Sequence, residues 1–285
     1  MYKGSIVLEG GATRGIFTAG VLDRLMEENI YLSDVIGVSA GACNAVDYVS
    51  GQIGRTKECM VNDYPDCDYV NSPRKIVKHR SVLNMDLIFD KYPYDIIPFD
   101  FNSFFNSDME CELVTTNCIT GKAEYMKEYE DKERLMKITR ASSSIPLLTP
   151  AVMVDDIPYL DGGLADSVPI QHAIESGNEK IVVVLTRNFG YRKNALSKPM
   201  QDMYRNTFSD YPELAKTIIR RSAIYNRSLN ITDSLERQGK IFVVRPHVTP
   251  VGRLERDKDE LIAFYKHGYE TMEKQMSDLK AYLEK

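Results

Sequence analysis

Apolar positions change their period repeatedly over the first fifty residues. Residues 4–9, GSIVLE, are a short run of strand formers that stops at a glycine turn. Phe17, Val21, Leu22, Leu25 and Met26 then recur at the three-to-four-residue spacing of one helix face. Residues 34–39, DVIGVS, repeat the strand signal, and AGACNAVDYVS after them reads as a second helix. Strand, turn and helix, twice over, is the rhythm of a parallel α/β sheet.

From about Arg55 to Ser107 the period fails. The segment is rich in Tyr, Phe, Asp and Pro, and it reads as a cap inserted over the sheet. The α/β rhythm returns with CELVTTNCITGKAEYM, two strands around a Thr-Gly turn, and then DKERLMKITRAS, a helix. KIVVVLT at 180–186 is nearly all apolar, as a strand covered on both faces should be. A helical region at about 209–238 and a last strand, KIFVVRP at 240–246, follow. In the C-terminal helices Leu261, Phe264, Tyr265, Met272, Met276, Leu279 and Leu283 form a stripe that reads as core packing. The expected organisation is one domain over 1–285, with 55–107 as the cap and 209–285 as a C-terminal extension of the same domain.

Composition narrows the functional classes. The net charge of −5 and the sequence pI of about 5.5 give no basic footprint for nucleic acid, and no nucleic-acid partner is expected. No stretch approaches the ~18 apolar residues of a membrane span, and the start has no apolar run of signal-peptide length. The 5 cysteines never form a C-x-x-C pair, so neither a disulfide framework nor a zinc site is expected. The reading is a cytoplasmic protein with reduced thiols that uses no metal and no cofactor.

The first glycine turn, EGGATRG from Glu9 to Gly15, fits two chemistries. A pyrophosphate could sit on the following helix N-terminus, since Gly10-x-Ala12-x-x-Gly15 approximates the dinucleotide fingerprint. Alternatively, its backbone N–H groups could be aimed at an oxyanion. The dinucleotide reading requires an acidic residue at the end of the second strand; that strand ends instead at Ser39. Gly37-Val38-Ser39-Ala40-Gly41 is a G-x-S-x-G sequence between strand and helix, the placement that a nucleophile elbow requires. Its serine needs a base. His79, His172, His247 and His267 are the histidines, and Ser39, Asp161 and His172 stand in the order of a triad. However, His172 falls within an ordinary helix that follows a proline. Asp161, in YLDGGLADSVP, is the other candidate.

Gly-rich turn, G-x-S-x-G and D-G-G, in this order, resemble the patatin-like phospholipase family. In that family they supply the oxyanion hole, the nucleophile and the base, respectively. The stretch ASSSIPLLTPAVMVDDIPYLDGGLADSVPI is similar to the family's approach to its aspartate, and the likeness spans roughly 4–190. The resemblance implies a three-layer α/β/α sandwich with a mainly parallel sheet. It further implies a serine lipid acyl hydrolase with a Ser-Asp dyad: Ser39 as nucleophile and Asp161 as proton acceptor. Gly10, Gly11, Ala12, Thr13, Arg14 and Gly15 would form the oxyanion loop, with Gly37, Gly41, Gly162 and Gly163 supporting the turns. The implied substrate is a lipid or other acyl ester. Two positions depart from the family pattern: Ala12 stands for the third glycine of the loop and Glu9 for its aspartate. The aromatic segment PYDIIPFDFNSFF could line an acyl channel, and SPRKIVKHR at 72–80 could meet anionic headgroups in a transient membrane-surface contact. A catalytically silent lipid-binding relative and a dinucleotide-binding module are the alternatives.

Overall fold

A computed structural model describes residues 1–65, 67, 71, 76 and 81–285. The basic cluster at 72–80, Ile76 apart, and His79 within it lie outside the described residues. Among the described residues, eight strands form one sheet: β1 (Tyr2–Leu8), β2 (Leu32–Val38), β3 (Glu110–Asn117), β4 (Ala123–Met126), β5 (Val152–Val154), β6 (Ile157–Asp161), β7 (Ile181–Val184) and β8 (Phe242–Val244). Their order is β5-β6-β3-β2-β1-β7-β8, with β4 paired to β3. The strands from β3 to β8 along this order run parallel, whereas β4, β5 and β6 pair antiparallel. The sheet is thus mainly parallel, with helices on both faces.

The first two helices, α1 (Gly15–Glu27) and α2 (Ala40–Val49), follow β1 and β2 as the change of period predicts. Among the described residues, α3 (Arg55–Val61), α4 (Leu87–Ile96) and α5 (Phe101–Phe105) lie between β2 and β3. α4 is a widened π-type helix: Pro93 sits inside it and the Ile97 N–H reaches back five residues to the Tyr92 carbonyl. This accounts for the missing period in that segment. Phe99, Phe101 and Phe104 join the main core, so much of the aromatic segment is buried packing. The remaining helices are α6 (Lys132–Ser142), α7 (Ile170–Glu175), α8 (Lys198–Thr207), α9 (Pro212–Arg237) and α10 (Lys258–Glu284).

Leu261, Phe264, Met272, Met276, Leu279 and Leu283 of α10 pack in the same core cluster as Phe17, Val21 and Leu25 of α1. β5 and β6 form a hairpin whose two-residue turn, Asp155-Asp156, has φ +50° and +63°, the backbone of a type I′ turn. Among the described residues, no helix is long and apolar enough to cross a membrane.

Candidate active site

β1 is flanked by β2 on one side and β7 on the other, so the chain winds outward in both directions from this point. Ligands of open α/β sheets bind at the carboxyl ends of the strands where the order reverses. Glu9 and Gly10 follow β1 here, Ser39 follows β2, and Thr186 and Arg187 follow β7. Asp161 arrives on the other side of β3, whose Val114 is in register with Val38 and whose Thr115 pairs with Asp161.

Ser39 is the site's most constrained residue. It has φ +56° and ψ −121°, the geometry of the first central position of a type II′ turn, where glycine is usual. Its N–H donates to Ser142 Oγ at 2.8 Å, and that hydroxyl donates to the Val114 carbonyl at 2.6 Å. Ser39's carbonyl accepts from the N–H groups of Ala42 and Cys43, closing the first turn of α2. The flanking glycines are sterically required. A Cβ at Gly41 would lie 2.2 Å from the Leu8 carbonyl oxygen, and one at Gly37 would lie 2.6 Å from the Gly41 oxygen. The strand therefore turns into the helix with the serine side chain held out of the backbone, as an elbow demands.

Asp161 is also positioned from several sides. Its N–H donates to the Ser144 carbonyl at 2.7 Å, and its carbonyl accepts from Thr116 Oγ1 at 2.9 Å. Carboxylate oxygen Oδ1 accepts from the Gly163 N–H at 2.7 Å. Gly162 packs so tightly on β3 that a Cβ would meet the Val114 oxygen at 2.1 Å. Among the described residues neither Ser39 Oγ nor Asp161 Oδ2 has a hydrogen-bond partner, and the two side chains line one cavity.

The first glycine turn borders the same cavity with Gly10, Gly11, Ala12 and Arg14. The N–H groups of Thr13, Arg14 and Gly15 are already used, by the carbonyls of Arg253, Gly11 and Ala12. Those of Gly10, Gly11 and Ala12 donate to no described group. Ala12 has φ +51°, so the alanine that stands for the third glycine carries a left-handed backbone. Arg14 Nε donates to the Val251 carbonyl at 3.0 Å and Thr13 Oγ1 to the Gly252 carbonyl at 2.8 Å, which fastens the loop to the segment before α10. Burial and the nearby Arg187 and Arg253 bring the Arg14 guanidinium down to about 10. Glu9 fastens the other end of the loop. It accepts from the Thr186 N–H at 2.7 Å and hydroxyl at 3.1 Å, and from Tyr225 Oη at 2.7 Å.

Ser39 also borders a second, mostly apolar cavity of about 130 Å³. The chain between β2 and β3 supplies Cys59, Met60, Leu83, Met85, Phe89 and Phe99 to its wall, and Cys43 and Val46 come from α2. Burial pushes the Cys43 thiol up to about 11 and the Cys59 thiol up to about 12.

His172 stands apart from the site. Its Nε2 lies 2.5 Å from Glu112 Oε2 and its ring stacks on Tyr125 at 3.5 Å, so the order Ser39, Asp161, His172 is not assembled as a triad. His247 and His267 contact each other, the His267 ring accepting from the His247 N–H at 3.1 Å. Among the described residues no group of three or more His, Cys, Asp or Glu side chains could hold a metal ion. Sequence reasoning missed Ser142, Thr186, Lys193, Arg187, Arg221, Tyr225 and Arg253. Only Arg221 and Tyr225 left a signal, the four-residue spacing that puts both on one face of α9.

Fold and site together define an α/β protein with Ser39 on a strained strand-to-helix turn at a sheet switch point. A family model described as patatin-like phospholipase matches residues 6–174, and the chain belongs to that family. A second, described as a domain of unknown function, matches residues 211–284. The chain is 29% identical over 189 residues to the uncharacterized protein YjjU of Escherichia coli, covering 64% of this chain and 51% of that protein. It is 26% identical to lysophospholipase nte1 of Aspergillus terreus, over 94% of this chain and 18% of that one. With lysophospholipase NTE1 of Candida albicans the identity is 24%, over 97% and 20%. The chain thus spans about half the length of the bacterial relative and about a fifth of the fungal ones. Among solved structures, VipD from Legionella pneumophila shares the fold with TM-score 0.51 and 14% identity, covering 99% of this chain and 67% of that one.

Proposed function

We propose that the protein is a serine lipid acyl hydrolase working through a Ser39–Asp161 dyad. The observation that carries this reading is the backbone of Ser39. A non-glycine residue at φ +56° in a strand-to-helix turn is costly, and it lies between an apolar cavity and the cavity shared with Asp161. In this mechanism Ser39 Oγ attacks the ester carbonyl while Asp161 takes its proton. The transfer requires the two oxygens to come within about 2.6–3.2 Å in the reacting complex. The carbonyl oxygen becomes an oxyanion, met by the N–H groups of Gly10, Gly11 and Ala12, each such donor contributing roughly 10²–10³ in rate. The N–H of Ala40, in the first turn of α2, has no acceptor within the helix and joins them. The alcohol leaves with the proton from Asp161. Water, activated by the same carboxylate, then releases the fatty acid from the acyl-enzyme.

The acyl chain lies in the apolar cavity, with 55–107 as its cap. The 209–285 segment belongs to the same hydrolase domain, since α10 shares its core with α1. Support for a lipid substrate comes from the family membership and from the two fungal relatives named as lysophospholipases. The test is steady-state hydrolysis of a chain-length series of carboxylic esters. Ser39→Ala and Asp161→Asn should each lose at least about 10³ in kcat while keeping the wild-type melting curve. Retained turnover in Asp161→Asn would remove the dyad. A folded wild type with no turnover on any ester would leave a silent lipid-binding relative.

A further inference from the structure

The cavity shared by Ser39 and Asp161 is strongly cationic. Its wall holds Arg14, Arg187, Lys193, Arg221 and Arg253 against two carboxylates, Glu9 and Asp161. Apart from Arg14, these cations come from residues 187–253, beyond the stretch matched by the patatin-like phospholipase model. Other enclosed arginines among the described residues are paired: Arg55 with Asp47 at 2.8 Å and Arg245 with Asp233 at 3.0 Å. None of the five cavity cations forms an ion pair with a described carboxylate. Arg221 Nε donates to the Gly163 carbonyl at 2.6 Å, and the hydrogen bond of Lys193 Nζ among the described residues is to Ser167 Oγ, at 3.5 Å. Glu9 is occupied by Thr186 and Tyr225. Burial, then Arg221, brings the Lys193 ammonium down to about 6. Like charges gathered in a partly enclosed cavity without carboxylate partners are unfavourable unless an anion joins them.

We propose that this cavity is a phosphate subsite, in which Lys193, Arg187, Arg221 and Arg253 hold the phosphomonoester of a monoacyl glycerophosphate whose acyl ester lies at Ser39. The inference rests on the hydrolase reading. The cavity measures about 40 Å³, enough for about three waters or one phosphoryl group. Guanidinium groups suit phosphate oxygens through their paired donors. A choline or other cationic headgroup has no place here. The ring of Tyr225 is covered by Lys193 Nζ at 3.5 Å and that of Tyr191 by Arg187 at 4.2 Å, so neither face can cradle a quaternary ammonium. With the apolar cavity on the other side of Ser39, the site separates an acyl chain from an anionic head and sets the ester between them.

The test compares kcat/KM for monooleoylglycerol phosphate, neutral monooleoylglycerol and monooleoyl glycerophosphocholine in one neutral detergent, together with calorimetric binding of glycerol 3-phosphate to Ser39→Ala. Wild type should prefer the phosphomonoester over both others by at least about tenfold. Lys193→Met and Arg253→Gln should each lower the phosphomonoester-to-neutral ratio by about tenfold and weaken glycerol 3-phosphate binding. Two variants on separate loops guard against one that misfolds. Equal rates on all three esters with no glycerol 3-phosphate binding would overturn the subsite and leave the hydrolase standing. Preference for the phosphocholine ester would overturn the phosphomonoester assignment. Binding of glycerol 3-phosphate without cleavage of any ester would instead overturn the hydrolase reading and uphold the anion site.

Discussion

Consider Ser39→Gly beside Ser39→Ala. Ser39 holds φ +56° and ψ −121°, a conformation that costs an L-residue about 1–3 kcal/mol. Alanine keeps the Cβ and therefore the strain. Its loss of a hydroxyl is cheap, because Ser39 Oγ has no hydrogen-bond partner among the described residues. Glycine removes the strain but frees the unfolded chain, which costs about 0.5–1 kcal/mol. The balance favours Ser39→Gly over Ser39→Ala by about 1 kcal/mol, or a Tm difference of roughly 2–4 °C for a chain of this size. At most strand ends and helix starts the order is the reverse, so the sign alone is informative. Differential scanning calorimetry of the two inactive variants at one pH reads it directly. If Ser39→Ala melted at or above Ser39→Gly, the elbow would not be strained, and the chief support for Ser39 as nucleophile would be gone.

Ala12→Gly should stabilise by about 0.5–1 kcal/mol, since Ala12 holds φ +51°; a lower Tm would mean the loop is not held in that conformation. Gly41→Ala, whose Cβ would lie 2.2 Å from a backbone oxygen of β1, should cost about 3 kcal/mol or more by urea denaturation, and a near-neutral result would contradict the close packing of elbow on strand. Lys193→Met should stabilise the protein at pH 7 by about 1–2 kcal/mol. The unfolded chain keeps that proton up to the ordinary lysine range, and the folded chain only up to about 6. Between these values the unfolded state binds more protons, so wild-type stability rises with pH and the gain from Lys193→Met fades towards pH 10. A gain that grows with pH in denaturation curves would refute the assignment.

Much of the fold was legible because its signals are local. The β1 run ends at a glycine turn, the apolar spacing of α1 follows, and the pattern repeats through β2 and α2. Ser39 was legible for the same reason: the elbow lies within five consecutive residues between a strand and a helix. Elsewhere local signals failed for identifiable causes. Pro93 and the wide turn of α4 break the helical period over Leu87–Ile96. The β5–β6 hairpin turns on Asp155-Asp156, two residues with side chains where the usual signal is an Asn-Gly or Asp-Gly pair. The cationic cavity left no motif, because Arg187, Lys193, Arg221 and Arg253 meet from the loop after β7, from α9 and from the segment before α10. Charges brought together from distant parts of the chain appear only when the sheet has set their positions. His172 shows the converse, since its order in the sequence fits a triad while the fold pairs it with Glu112.

The proposed dyad makes Ser39 an activated nucleophile served by Asp161. The most direct measurement is labelling of wild type, Ser39→Ala and Asp161→Asn with a fluorophosphonate, followed by intact-mass and peptide mass spectrometry. Wild type should carry one adduct, located on Ser39, Ser39→Ala should carry none, and labelling of Asp161→Asn should be slowed by at least about 10³. An adduct on another residue, or wild-type labelling kinetics in Asp161→Asn, would contradict the dyad.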